Sequence, residues 1–147
     1  MYSRGRAEEI LGGLRAGVAK AMITPVCVCS ALLNKGTAAF LDTINLCLPS
    51  PADRPAKIGT VPGGSEEADR KPSADAPFSA LVFKTMADPY AGRLTIFRVW
   101  SGILKGDSFF NATKNTAERF GQLYVLEGKE QKPVESAGPG MIVAVAK

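Results

Sequence analysis

At 147 residues the chain has room for one domain or two small ones, and 46% hydrophobic with 22% charged residues fits an ordinary globular protein and excludes a disordered one. It holds no histidine, which removes the commonest general base and the commonest metal ligand together. Cys27, Cys29 and Cys47 are odd in number and have none of the usual zinc spacings, so reduced, buried thiols are expected and no metal site.

No signal peptide opens the sequence, and no apolar run approaches the ~20 residues that cross a bilayer, so the expected location is cytoplasmic, away from membranes. The net charge of +4 is uneven. Residues 1–48 carry 5 basic and 3 acidic side chains, residues 49–77 carry 4 and 5, and residues 78–147 carry 9 and 6. The C-terminal half therefore holds most of the excess, which permits RNA contact without demonstrating it.

In chain order, Ala7, Ile10, Leu11, Leu14 and Val18 recur at helical spacing. Glu8 and Glu9 sit early and Arg15 and Lys20 late, as the helix dipole favours. Gly12, Gly13 and Gly17 each cost about 1 kcal/mol against Ala, so this helix needs a neighbour. Thr24–Cys29 is a short apolar run that predicts a buried strand of a mostly parallel sheet. Gly36 precedes a second helix with a stripe of Phe40, Leu41, Ile44, Cys47 and Leu48, stopped by Pro49 and Pro51. Helix, strand and helix make only the closing edge of an α/β domain: an α/β remnant that must pack on something else or stay partly loose.

Residues 49–77 hold six of the ten prolines and nine charged residues, with no sustained apolar period, and predict a linker or an extended arm. From Phe78 onward the pattern is all β. Ser79–Thr85 and Arg93–Ser101 form a hairpin around Asp88–Gly92. In its second strand Leu94, Ile96, Arg98 and Trp100 share one face and Thr95, Phe97, Val99 and Ser101 the other. Neither face is purely polar, which suits a barrel with something packed outside it. Arg98 and Trp100 read either as a docking surface or as a stacked cation–π pair. Further strands are predicted at Ser108–Thr113, Glu118–Leu126, Gln131–Ser136 and Met141–Ala146, the spacing of a small β-barrel.

The run FKTMADPYAGRLTIFRVWSGILKGD, continuing through NATKNTAERFGQLYVLEGKEQKPVESAGPGMIVAVAK, resembles the second domain of translation elongation factor G, the translocation GTPase. ITPVCVCSALLNKGTAAFLDTINLCLPSPADRP resembles the last strand and helix of that family's GTP-binding domain. The resemblance implies the end of the GTP-binding domain over residues 1–48, a proline-rich linker over 49–77, and a Greek-key barrel of the translation-factor second-domain type over 78–147. It also implies a piece of a longer protein whose barrel runs on past the point matching Lys147. An open edge is then expected along Met141–Ala146 or a neighbouring strand, to be covered by a second copy in an edge-mediated homodimer.

By the same resemblance, Cys29-Ser30-Ala31 matches the turn that presents backbone amides to the guanine oxygen, so Ser30, Ala31 and Leu32 are the guanine contacts. GTP and Mg2+ would serve the full-length parent. This chain is expected neither to bind GTP usefully nor to hydrolyse it, and to contain no catalytic residue. It has no G-x-x-x-x-G-K-[ST], no D-x-x-G switch and no N-K-x-D; Gly59–Gly64 (GTVPGG) lacks the following Lys-Ser/Thr, and Asn34-Lys35-Gly36 lacks the Asp. The family's barrel leans on small-subunit ribosomal RNA and on the parent's other domains. Lys105, Lys114, Arg119, Lys129 and Lys132 are the candidate RNA contacts. Asn115-Thr116-Ala117 stands where family members often carry more basic residues. The alternatives are an independent RNA-binding β-barrel with a helical arm, or part of a related ribosomal GTPase such as a release or ribosome-protection factor. An enzyme acting through Glu66, Glu67 and Asp69 ranks below both, since no His or Lys is placed to tune those carboxylates.

Overall fold

The computed structural model describes residues 4–88 and 92–146. The chain divides into two compact units, Met1–Asp53 and Arg54–Lys147. Among the described residues no helix is long and apolar enough to cross a membrane.

The first unit is helical. Helix α1 spans Arg4–Ala19, and helix α2 spans Thr37–Cys47. Gly17 has a use despite its helix cost: a Cβ there would collide with the Ile23 side chain, which folds back beside it as the chain leaves α1. Helix α2 ends as its prolines require. Leu48 takes an extended backbone ahead of Pro49, and its N–H still reaches Ile44 O. Of the predicted stripe on α2, Cys47 is buried and Ile44 half-buried, while Phe40, Leu41 and Leu48 stay exposed.

The expected strand at Thr24–Cys29 does not form. Those residues have no regular structure, and Val26 and Val28 are 88% and 95% exposed. A parallel strand needs neighbours to accept its backbone bonds, and among the described residues this unit has none beyond an isolated bridge between Ser30 and Lys35. The thiol expectation fails with it, since Cys27 and Cys29 are exposed and Cys47 alone is buried.

The second unit is all β. Strands β1 (Lys57–Thr60) and β2 (Glu67–Arg70) form a hairpin inside the stretch expected to be a linker. Its turn is Val61-Pro62-Gly63-Gly64. Pro62 presets φ, Gly63 supplies φ 78°, and Gly64 N–H donates to Val61 O at 3.0 Å. The main sheet contains β3 (Ser79–Asp88), β4 (Gly92–Ser101), β8 (Leu123–Glu127), β9 (Glu130–Val134) and β11 (Ile142–Ala146). Its spatial order is β3-β4-β11-β8-β9, antiparallel throughout. Two short pairs complete the unit: β5 (Leu104–Lys105) with β10 (Ser136–Ala137), and β6 (Ser108–Asn111) with β7 (Thr116–Arg119). The chain makes the β8–β9 hairpin and then returns to lay β11 between β8 and β4, which is the Greek-key crossing.

Three expectations change here. Strand β11 is central rather than an open edge, paired on one side with β4 and on the other with β8; the sheet's edges are β3 and β9. The single strand expected at Glu118–Leu126 breaks into β7 and β8 at Phe120-Gly121-Gln122. Phe120 turns into the core there and stacks on Phe109 with ring centres 5.6 Å apart, and its N–H donates to Asp107 O at 2.9 Å. Leu104, which falls between the predicted strands, is buried on β5. The turn expected at Asp88–Gly92 lies at residues 89–91 outside the described residues.

Both faces of β4 are buried, as its mixed pattern predicts. Phe97 and Val99 join Leu104, Phe120, Leu123, Ala137, Val143 and Val145 in one cluster. Leu94 and Ile96 join Ala144 in a second. The entry to the sheet is clamped at the end of β4. Ser101, fully buried, donates to Pro77 O at 2.6 Å and accepts from Ser79 Oγ at 2.7 Å. Gly102 sits at φ 67° with Ala76 O and the Phe78 backbone 2.6 Å from where a Cβ would stand, so no other residue fits.

Candidate guanine and RNA contacts

In the helical unit the sequence around Ser30 closes into a small loop. Ser30 N–H donates to Lys35 O at 2.9 Å, and Lys35 N–H donates back to Ser30 O at 3.0 Å. Inside it, Leu33 N–H reaches Ser30 Oγ at 3.3 Å and Asn34 N–H reaches Ala31 O at 3.2 Å. Asn34, at φ 49°, makes the reversal that Asn tolerates better than most residues. Among the described residues, the N–H groups of Ala31 and Leu32 meet no partner, and Leu32 is 95% exposed. Free, adjacent amides on a pinned loop can receive one carbonyl or anionic oxygen. Among the described residues no group of three His, Cys, Asp or Glu side chains could hold a metal ion, and the sequence has no phosphate-cradling loop.

The five basic candidates fall on three different strand pairs. Lys105 ends β5, opposite Ser136. Lys114 and Arg119 belong to the β6–β7 hairpin, and Lys129 and Lys132 to the β8–β9 hairpin. Two of them are already paired. Lys114 Nζ lies 3.1 Å from Glu118 Oε1, and Lys132 Nζ lies 2.5 Å from Glu127 Oε2. Glu118 also accepts from Asn111 Nδ2 at 2.9 Å, while Asn111 Oδ1 accepts the Lys114 N–H at 3.1 Å. The β6–β7 loop is thus fixed by its own side chains, with Asn115 at φ 52° closing it. Among the described residues Lys105, Arg119 and Lys129 form no ion pair, which leaves three cations free for phosphate. Glu67 and Asp69 lie on β2 and are exposed, as Glu66 is beside them, and neither hydrogen bond nor metal cluster draws them together.

Residues 77–147 match the family model for elongation factor G domain 2. The β unit has the fold of a translation-factor second domain. A protein of known crystal structure from Thermus thermophilus is similar over 99% of this chain and 21% of its own, at 26% identity and a TM-score of 0.64. The chain therefore spans about a fifth of the length of that protein.

Sequence reasoning missed one constellation on this unit. Lys57 Nζ lies 4.7 Å and Arg98 Cζ lies 5.3 Å from the centre of the Trp100 ring. Arg98 and Trp100 share a face of β4, which their spacing shows, but Lys57 reaches them only because β1 and β2 form a hairpin. The signal for it was present in Val61-Pro62-Gly63-Gly64, a turn sequence flanked by short runs that pair residue for residue.

Proposed function

We propose that this chain is part of an elongation factor G-like GTPase that promotes ribosomal translocation of tRNA and mRNA, with the barrel as its ribosome-docking and relay element. The observation that carries this reading is the match of residues 77–147 to elongation factor G domain 2, on a unit with a hydrophobic core of its own. A cytoplasmic location goes with that role. GTP and Mg2+ belong to the rest of the parent; this chain brings only the Ala31 and Leu32 amides toward the base and performs no step of hydrolysis.

The barrel meets small-subunit RNA through Lys105, Arg119 and Lys129, with Lys114 and Lys132 held back by their glutamates. Co-sedimentation of the chain with small ribosomal subunits tests it. Replacing Lys105, Arg119 and Lys129 together by Gln should weaken binding by about 10-fold or more near physiological salt and flatten its salt dependence. Binding that ignores both salt and these replacements would favour an independent RNA-binding module that works by stacking. A second copy, at high concentration, would pair through β3, an edge strand whose Leu81, Val82, Phe83 and Met86 are exposed. A strict monomer in sedimentation would remove that contact.

A further inference from the structure

The β1–β2 hairpin sorts its charges by face. Cross-strand register places Lys57 opposite Arg70 and Gly59 opposite Ala68 on one side; Ile58 opposite Asp69 and Thr60 opposite Glu67 lie on the other. Like charges directly opposite each other destabilise a strand pair, so Lys57 facing Arg70 is an unfavourable arrangement on its own. A third cation is added to it. Lys57 and Arg98 approach the same Trp100 ring, and among the described residues none of the three cations forms an ion pair. Arg98 Nε is buried with no hydrogen-bond partner, while Arg70 spends one N–H on Asp69 O at 3.0 Å.

The surroundings favour a flat, partly apolar ligand with negative charge. Trp100 is half-buried. Leu81 and Ile142 flank Arg98 from the two neighbouring strands and are 55% and 52% exposed. Nothing lies within 4 Å of where a Cβ on Gly59 would stand, so the hairpin's basic face is open at that point. Lys57 and Arg98 at one indole, with Arg70 opposite Lys57 in the strand pair and an apolar ledge beside Arg98, suit phosphates carried next to a stacking base better than they suit a bare carboxylate.

We propose that Lys57, Arg70, Arg98 and Trp100 form a binding site for single-stranded RNA, with the cations on its phosphates and the indole and ledge against one base. This site is separate from the barrel-loop lysines and stands whether or not those dock on a ribosome. Trp100 is the sole tryptophan, so its fluorescence reports on this site alone. Titrating the chain with oligouridylate at low salt should quench or shift the emission saturably. A fourfold rise in salt should weaken the interaction about 20-fold, at a slope near −0.7 per cation for three cations. Lys57→Gln and Arg98→Gln should each weaken it several-fold and flatten that slope. Lys57 is on an exposed hairpin, so its variant reports even if Arg98→Gln fails to fold.

The Gln variants of Lys105, Arg119 and Lys129 should leave the Trp100 signal unchanged, which separates this site from the loop reading. Three results would overturn the proposal: RNA that binds by anisotropy without moving Trp100 emission, inorganic phosphate that gives the full change at matched charge, or poly-glutamate that competes as well as RNA.

Discussion

The helical unit has the more apolar sequence, yet it is the β unit that buries its apolar residues. In the β unit, Phe97, Val99, Val143 and Val145 are buried to 3% exposure or less, because β4 and β11 each have a partner on both sides. In the helical unit, Ile10, Leu11, Val26, Val28 and Leu32 face solvent, and among the described residues only Cys47 is buried. Apolar residues stabilise where a second layer exists to take them; a helix stripe with no sheet to cover contributes little.

Core truncation should separate the units most. Phe97→Ala should cost about 3–5 kcal/mol, whereas Ile10→Ala on α1 should stay within about 0.5 kcal/mol. Urea unfolding followed by Trp100 emission for the β unit and by helical circular dichroism for the helical unit measures the two, and equal costs would erase the contrast. Next comes Gly102→Ala, expected to cost roughly 2–4 kcal/mol, because the new Cβ meets Ala76 O and the Phe78 backbone at 2.6 Å in a left-handed conformation. A neutral result would mean that the clamp at the end of β4 is loose. Ser101→Ala should cost about 1–3 kcal/mol, since Ser79 Oγ loses its acceptor and Pro77 O its donor in a buried place.

The smallest effect lies in the helical unit. Ser50 N–H donates to Asp53 Oδ2 at 2.8 Å, and this bond, followed by the Ser50 hydroxyl, holds the Asp53 carboxyl below its ordinary 3.8. A lowered carboxyl stabilises its turn above that ordinary value, and the support is lost as pH falls through the depressed one. An NMR titration should find the Asp53 midpoint below 3.8, moving up in Ser50→Ala.

Much of the β unit was legible in the sequence because its strands alternate on β4 and its turns carry Gly and Pro. The break at Phe120 was not, since Glu118–Leu126 is mostly strand-like and the contacts that accompany the break, the Phe109 stack and the Asp107 carbonyl, come from outside that run. The β1–β2 hairpin was hidden by proline and charge content that resembles a linker, although Pro62-Gly63 marks its turn. The strand expected at Thr24–Cys29 failed for the converse reason: the run is right for a buried strand, but burial depends on neighbours the local pattern cannot supply. For the candidate contacts, sequence named the lysines and the Ser30 loop, and could not show that Glu118 and Glu127 occupy two of those lysines.

Hydrogen exchange on the whole chain, with and without small ribosomal subunits, tests both the contrast between the units and the docking role of the barrel. Amides of Leu94–Ser101 and Ile142–Ala146 should exchange slowest and residues 24–35 among the fastest, and adding subunits should slow exchange around 105–119 and 127–132 while leaving 24–35 unchanged. Protection that appears only in the helical unit, or a β unit that exchanges as fast as the helices, would contradict one or the other.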